Sequence, residues 1–393
     1  MSNILIIGNG FDIYHGLPTR YNDFLFLAEN WNSFIEKYNN STASGEKDDL
    51  IDVRLNDGWL SNDSLDDFAR NKNIFDEDRI KYLNDKITTN AWIKYFLYIK
   101  FKGNGWVDFE AEIDKVLHNL EYFFNVLPGY AESNRIASMD IDSEIIKSAR
   151  MFLPLINDRY QCNYFGVIRA SDVEPSKLET HRLYLIEKLK IELNVLNECL
   201  RIYILEFVES IKCNTYSEQV KALGDVKLLN FNYTYTYKKV YGNLRSEHHP
   251  IHGDCINGGM VLGIPDDAFE ENLEYIYFVK YFQRIQKRAG NFYKDWIRKP
   301  SPETQTMSDV PHHVYIMGHS LAYTDKGVLQ DFFKNDWISK ITVFYHNQDA
   351  YENIVINLVR MFGKDFVIDQ IGIERICFVK LKPAIVGDGR ASS

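Results

Sequence analysis

The sequence predicts an α/β fold, a Rossmann-like parallel sheet with a large helical insertion. Short β-rich runs recur between helical patterns, as they do in parallel α/β sheets. These runs are Ile4–Ile7, Val226–Asn230, His249–His252, Met260–Gly263, Val314–Met317, Ile341–Tyr345 and Ile376–Lys380. The patterns between the first run and the second are mainly helical, over a length far beyond a usual strand–helix connection. We therefore expect a discontinuous nucleotide-binding core, residues 1–30 and 221–393, and a helical insertion, residues 31–220.

The composition is that of a soluble globular protein. The 393 residues are 45% hydrophobic and 25% charged, which excludes a disordered or fibrous chain. The net charge of −10 disfavours nonspecific binding to nucleic acid. No apolar run approaches the ~18 residues that span a bilayer, and Ile4–Ile7 is shorter than the ~7–15-residue apolar region of a signal peptide. We expect a cytoplasmic protein without a membrane partner and, since its five cysteines are scattered, with reduced thiols.

The first strand runs directly into Gly8-Asn9-Gly10. Glycines at such a turn let backbone amides approach a phosphate, because no Cβ holds the ligand away. The third glycine of a dehydrogenase fingerprint is missing, since Ile13 stands in its place. A tight strand-to-helix turn without a ligand is the structural alternative.

The helical insertion begins with an acidic stretch and continues with two apolar stripes. Residues 41–80 hold 11 acidic against 5 basic side chains, which predicts a solvated region of loops or short helices. The first stripe consists of Ile113, Val116, Leu117, Leu120, Phe123 and Phe124. The second consists of Ile186, Leu189, Leu193, Leu196, Leu200, Tyr203 and Phe207. Both spacings predict a helix face turned to the core, and a homodimer seam is the alternative for the second.

Polar, loop-forming residues follow three later strands. They are Asn230 to Thr234, His252-Gly253-Asp254 and Gly318-His319-Ser320-Leu321. Ligands of open parallel sheets bind outside the carboxyl ends of the strands, so four such ends, with the first turn, predict one pocket. Each residue also has an ordinary interpretation: Asn232 as a turn cap, His252 as a core histidine, His319 and Ser320 as helix caps, Asp325 as a first-turn carboxylate.

These motifs resemble those of the AbiH abortive-infection proteins of bacterial phage defence. The matching segments are Gly8 to Asp12, His15 to Thr19, Trp106 to Glu110, Asn230 to Thr234, Ile251 to Gly253, and Gly318 to Leu321 with Asp325. They occur in the family's order. The resemblance implies an antiphage function, with a phage trigger that the sequence does not identify.

The same landmarks are more distantly similar to those of sirtuins and sirtuin-like NAD-cleaving domains. That resemblance implies NAD as ligand or substrate, held by Gly8, Asn9, Gly10, Phe11, Gly16, Pro18, Gly318, Ser320 and Leu321. It implies Asn232 and His252 as catalytic residues, and we add Asp12, which stands where the sirtuin pattern has serine, as the third. The sequence departs from sirtuins in Asp12 for serine, in Thr234 for aspartate, and in lacking a four-cysteine zinc module, which argues against a protein deacylase.

Cleavage of the nicotinamide–ribose bond passes through an oxocarbenium-like state. Asn232 would position a ribose hydroxyl or water, and His252 would exchange a proton near neutral pH. Asp12 or Asp254 would offer negative charge near the cation and orient His252. The expected activity is that of an NAD glycohydrolase-like hydrolase.

Two other functions remain open at this point. One is a non-catalytic NAD or ADP-ribose sensor. The other is a nuclease or RNA-binding toxin that uses the basic and aromatic cluster between Lys280 and Lys299. We expect no metal, because the paired histidines His248-His249 and His312-His313 lack the spacing and acidic partner of a helical zinc site.

Overall fold

A computed structural model describes residues 3–42, 50–102, 107–132, 143–156, 175–242, 247–301, 303 and 310–387. Six strands form one parallel sheet: β1 (Asn3–Ile7), β2 (Val226–Asn230), β3 (His248–Pro250), β4 (His312–Met317), β5 (Ile338–Tyr345) and β6 (Ile376–Lys380). Their order across the sheet is β3-β2-β1-β4-β5-β6. The first strand lies at the centre, β2 and β3 follow on one side of it and β4 to β6 on the other. The strand order therefore changes direction at β1, as in the Rossmann fold.

The central strand is buried on both faces. Ile4 and Ile6 belong to one hydrophobic cluster, while Leu5 and Ile7 belong to another. Successive side chains of a strand point to opposite faces, so the apolar run Ile4–Ile7 supplies both layers of the core. The α/β class with a parallel, Rossmann-like sheet is thereby confirmed.

Helices fill most of the chain between β1 and β2. They are α1 (Asn9–Tyr14), α2 (Tyr21–Glu29), α3 (Trp31–Asn40), α4 (Asn62–Arg70), α5 (Glu77–Lys86), α6 (Ala91–Lys102), α7 (Phe109–Glu132), α8 (Ser143–Phe152), α9 (Pro175–Ile202) and α10 (Glu218–Lys221). A π-helical segment, Tyr203–Val208, extends α9. A small antiparallel pair joins Thr215–Tyr216 to Ile385–Val386.

The later helices are shorter. They are α11 (Thr236–Tyr241), α12 (Lys280–Gln286), α13 (Tyr293–Trp296), α14 (Lys326–Phe333), α15 (Gln348–Phe362) and α16 (Lys364–Gly372). Helices α14 to α16 contribute Val328, Leu358 and Val367 to the cluster that contains Ile4.

The chain divides into two compact units. The first comprises Met1–Lys81, Leu200–Val261 and Arg284–Ser393 and contains the whole parallel sheet. The second comprises Tyr82–Cys199 and Leu262–Gln283 and is built mainly from α6, α7, α8 and most of α9. The expected boundaries at residues 30 and 220 stay a prediction.

Both apolar stripes of the insertion are buried. Every residue named for them is at most 7% exposed, which confirms their interpretation as faces turned to the core. One predicted strand is wrong: Met260–Gly263 is a buried segment without strand structure. Within the described part of the chain, no helix is both long and apolar enough to cross a membrane.

Candidate functional site

The register of the sheet brings four strand ends to one edge. Ile7, the last residue of β1, is paired with Asn230 at the end of β2 and with Met317 at the end of β4. Asn230 is in turn paired with Pro250 at the end of β3. The segments that follow these strands therefore leave the sheet at the same level, on strands about 4.8 Å apart.

The glycine turn after β1 packs directly against the turn after β4. The Gly10 amide donates to the Gly318 carbonyl at 2.7 Å, and the Gly8 amide donates to the Met317 carbonyl at 3.2 Å. A Cβ on Gly8 would lie 2.7 Å from the His319 Cα, and one on Gly318 would lie 1.9 Å from the Phe11 nitrogen. Contact between two backbones thus accounts for these glycines, and the Gly10 N–H is already bonded within the protein.

Asn232 connects the second strand end to the first. Its side-chain amide donates to the Gly8 carbonyl at 3.0 Å, and its backbone N–H donates to the Asn230 side chain at 2.9 Å. The residue is 5% exposed. Asn232 was expected to be either a turn cap or a catalytic amide. Its hydrogen bonds hold two turns together, and it lies at the sheet edge where a ligand would bind.

Asp12 lies beneath this junction. Its carboxylate accepts a hydrogen bond from the Thr234 hydroxyl at 2.7 Å, and Thr236 donates to Thr234 at 3.2 Å. Burial raises the pKa of the Asp12 carboxyl to about 7, hydrogen bonds from Thr234, Thr236 and Asn232 oppose the rise, and the charge of Glu209 adds to it. Asp12 is 1% exposed, so its hydrogen bond to Thr234 supports the segment after β2 from within the protein interior.

Two imidazoles converge on one carboxylate at the same edge. His252 Nε2 lies 3.4 Å from Asp325 Oδ1, and His319 Nε2 lies 3.4 Å from Asp325 Oδ2. His252 is 4% exposed, His319 6% and Asp325 8%. The ring of Phe231 stands edge-on to both imidazoles, with centroids 5.2 Å from His252 and 4.3 Å from His319. Since Phe231 precedes Asn232, one segment carries both the side-chain amide and the aromatic ring that contacts both histidines.

The carboxylate beside His252 is thus Asp325 and not Asp254. The Asp254 side chain accepts from the backbone amides of Ile256 and Asn257 at 2.9 and 2.6 Å and from the Asn257 side chain at 2.9 Å. It closes its own turn, which is a common use of aspartate. Asp325 precedes α14 but accepts no capping hydrogen bond there.

His15 has a structural role in the first motif. Its Nδ1 donates to the Phe11 carbonyl at 2.7 Å, which leaves Nε2 to accept from the Tyr241 hydroxyl at 2.8 Å. That hydroxyl accepts in turn from the Ser217 amide at 2.8 Å. Burial lowers the pKa of the His15 imidazole to about 4, so His15 is neutral at physiological pH.

The other expected ligand-binding residues differ in exposure. Asn9 is exposed and accepts from the Thr19 hydroxyl at 2.5 Å. Ser320 is exposed, whereas Leu321 belongs to the hydrophobic core. Gly16 has open space beside its Cα, and the backbone of Pro18 accepts from the buried Tyr203 hydroxyl at 2.6 Å.

The basic cluster is largely engaged within the protein. Five of its seven side chains are buried, hydrogen-bonded or ion-paired: Lys280, Arg284, Lys287, Lys294 and Arg298. Burial lowers the pKa of the Lys287 ammonium to about 8. Among the residues that the structure covers, no group of three or more histidine, cysteine or acidic side chains has a geometry that fits a metal ion.

Sequence reasoning placed His319 at a strand end of the predicted pocket and gave Asp325 a helix-dipole interpretation, but it assigned neither of them a catalytic role. The sequence shows a histidine two residues after a strand end and an acidic residue at the start of the next helix, but this spacing does not reveal that both side chains meet His252. In the motif Trp106 to Glu110, Trp106 lies outside the described residues. The Asp108 side chain accepts a hydrogen bond from the Glu110 backbone amide at 3.0 Å, at the start of α7.

Fold and site together define a Rossmann-like α/β protein with a buried His–Asp–His cluster at the carboxyl edge of its sheet. The family model described as "Bacteriophage abortive infection AbiH" matches residues 4–346, well over half of the chain. The chain therefore belongs to the AbiH family. Comparisons with curated proteins and with solved structures gave no significant match.

Proposed function

We propose that this AbiH protein acts against phage by binding NAD, or a related nucleotide, in a sirtuin-like pocket and hydrolysing its nicotinamide–ribose bond. The observation that carries the proposal is the position of His252. Its imidazole lies 3.4 Å from a buried carboxylate, at the sheet edge that also holds Asn232. In Rossmann-like sheets this edge is where ligands bind.

The reaction needs a group that takes up a proton. Water attacks C1′ of the ribose, the C1′–N bond breaks with its electron pair leaving on nicotinamide, and the attacking water loses a proton. His252 is the proposed acceptor of that proton, since imidazole exchanges protons near neutral pH and a neighbouring carboxylate stabilises imidazolium. Asn232 is the proposed partner of the ribose hydroxyls. The products are nicotinamide and ADP-ribose.

The residues fit the ribose end of such a nucleotide better than they fit a phosphate in the glycine turn. A carboxamide, an imidazole and a carboxylate are the hydrogen-bonding groups that a ribose and an attacking water require. The glycine turn is closed by Gly318, and its Gly10 amide is already bonded. We therefore assign no phosphate to the Gly10 amide.

Nicotinamide release tests the proposal. Purified protein is mixed with NAD and the products are separated by chromatography. The same measurement is made on extracts of phage-infected cells, because a defence protein that destroys NAD has to be silent before infection. We expect His252→Ala to abolish nicotinamide release and NAD loss.

The matched control is His118→Ala. His118 also pairs with a carboxylate, Asp114, at 3.3 Å, but it is exposed on α7, and its loss is expected to leave NAD cleavage unchanged. Protection that depends on His252 while cellular NAD stays constant would overturn the proposal. Binding of NAD without turnover would instead favour the sensor function.

A further inference from the structure

We propose that Lys326 and Arg360, which meet on the ring of Tyr323, form the subsite that binds the diphosphate of the nucleotide. This inference rests on the proposed function, because it assigns a place to the phosphates of the same ligand. The glycine turn does not provide that place, since its Gly10 amide is already bonded within the protein. A ligand whose ribose lies beside His252 carries a phosphate only a few bonds away, so a positive charge is needed near this edge.

Two cations meet on one aromatic ring in the segment after β4. The Lys326 ammonium lies 4.7 Å from the centroid of the Tyr323 ring and donates to the Tyr323 hydroxyl at 2.9 Å. The Arg360 guanidinium lies 5.1 Å from the same centroid. The two positive charges are thus no more than about 10 Å apart, close to a Debye length in dilute buffer, so they repel each other. An anion bound to both would remove that repulsion.

The chain itself ties Lys326 to the proposed site of cleavage. Lys326 directly follows Asp325, whose carboxylate lies 3.4 Å from the His252 imidazole. Lysine has a long, flexible side chain that ends in a compact charge. A phosphate of a nucleotide that contacts His252 is therefore within reach of the Lys326 ammonium.

Helix α15 brings Arg360 to the same segment. The Asn357 side chain donates to the Ser320 carbonyl at 2.9 Å, which fixes this helix against the loop after β4. Asn357 and Arg360 are three residues apart and share a face of α15, so the anchored face also carries the guanidinium. Arg360 is exposed and forms no ion pair with any residue that the structure describes. Its charge is therefore available to a ligand.

The chemistry of the two cations suits a diphosphate. A guanidinium can bind two phosphate oxygens at once, and an ammonium binds as a point charge. The chain carries a net charge of −10, so binding of an anionic nucleotide depends on local positive charge of this kind. Arg360 lies beyond residue 346, where the family match ends, so membership of the AbiH family does not by itself imply this subsite.

Isothermal titration calorimetry with ADP-ribose tests the subsite without turnover, because ADP-ribose keeps the diphosphate and lacks the bond to nicotinamide. We expect Arg360→Gln and Lys326→Gln each to raise the Kd of ADP-ribose about 10-fold, as for the loss of a hydrogen bond to a charged group. Arg360→Lys keeps the charge and is expected to recover part of the affinity. Nicotinamide riboside, which has no phosphate, is expected to bind all variants with the same Kd.

The matched control is Lys334→Gln. Lys334 directly follows α14, is exposed, and holds its ammonium 6.0 Å from the centroid of Phe362 on α15. It thus makes the same kind of contact to the same helix, and its loss is expected to leave the Kd of ADP-ribose unchanged. Since Arg360 is exposed, Arg360→Gln is expected to keep the urea midpoint of the wild type, which separates lost binding from lost folding.

The two proposals fail in distinguishable ways. Nicotinamide release together with an ADP-ribose Kd that is the same in wild type, Arg360→Gln and Lys326→Gln overturns the inference alone. ADP-ribose binding that depends on both cations, without nicotinamide release, supports the subsite and overturns the proposed hydrolysis. Inorganic pyrophosphate is titrated in parallel. If it binds through both cations while ADP-ribose does not bind, the occupant is free phosphate and the nucleotide assignment is wrong. A wild-type protein that binds neither compound also overturns the inference.

Discussion

Replacing Gly318 by alanine is expected to be more damaging than replacing any glycine that needs only its backbone conformation. Gly318 has φ +70°, a region that costs an alanine about 1–2 kcal/mol. Its added Cβ would also lie 1.9 Å from the Phe11 nitrogen, where the obstacle is backbone and cannot rotate away. Overpacking of this kind costs about 1–3 kcal/mol. We expect a total loss of roughly 2–5 kcal/mol from both causes.

Two further glycines separate the two causes. Gly242 has φ +60° and nothing within 4 Å of the added carbon, so Gly242→Ala is expected to lose only the conformational part. Gly8 has an extended backbone, φ −132°, but its Cβ would meet the His319 Cα at 2.7 Å. Gly8→Ala is therefore expected to lose only the packing part, about 1–3 kcal/mol.

Urea unfolding followed by tryptophan fluorescence measures the three losses. The midpoints are compared at constant m value, so that a change in midpoint reports stability. If Gly318→Ala loses no more than Gly242→Ala, the close approach of the two turns is not the reason for a glycine at this position. A ligand-binding role for the glycine turn would then regain support.

Three other changes test the buried polar groups. The pKa of the Asp12 carboxyl is about 7 in the folded protein and ordinarily 3.8, so the folded state binds the proton more tightly than the unfolded state. The wild type therefore loses up to about 4 kcal/mol of stability as the pH rises from 4 to 7. Asp12→Asn avoids this loss, so we expect its stability relative to the wild type to increase over the same pH range. Tyr241→Phe removes the hydroxyl that donates to His15 and is expected to cost about 1–3 kcal/mol in urea unfolding. Lys280→Met leaves Glu110 without a buried cation 2.8 Å away and is expected to cost about 3–5 kcal/mol in thermal unfolding, most of it regained with Glu110→Gln.

Each of these expectations has its own contrary result. For Asp12, only the difference between variant and wild type counts, since His15 and His249, whose pKa values burial lowers to about 4, make the whole protein more stable as pH rises from 4 to 6.5. A difference that does not vary with pH contradicts the raised pKa. For Tyr241, a neutral substitution contradicts the hydrogen bond between its hydroxyl and His15. For Lys280, a double variant as unstable as the single one contradicts the ion pair.

Most of the sheet follows from the sequence because every strand except β3, which is His-His-Pro, contains a short apolar run beside turn-forming residues. The run Met260–Gly263 has the same appearance, yet its backbone is partly satisfied by a side chain. Gln283 accepts from the Leu262 amide at 3.2 Å and donates to the Leu262 carbonyl at 2.9 Å. A carboxamide thus takes the place of a neighbouring strand, and burial alone cannot distinguish the two cases.

The candidate site was only partly predictable for a related reason. Asn232 and His252 stand directly after strands, where position in the sequence already implies position at the sheet edge. Asp325 lies well beyond its strand, and the first turn of a helix explains an aspartate equally well. Its pairing with His252 joins residues far apart in the chain, and no local pattern encodes such a contact.

The central strand has a consequence for synthesis. β1 is made first, but its two neighbours begin only at Val226 and His312. A chain emerging from the ribosome therefore exposes an apolar strand with unpaired backbone N–H and C=O groups until these neighbours have been synthesised. Pairing β1 with either neighbour then requires the closure of a large loop. His319 and Asp325 arrive later still. Truncated or half-made copies that end before Asp325 consequently lack the complete His252–Asp325–His319 cluster.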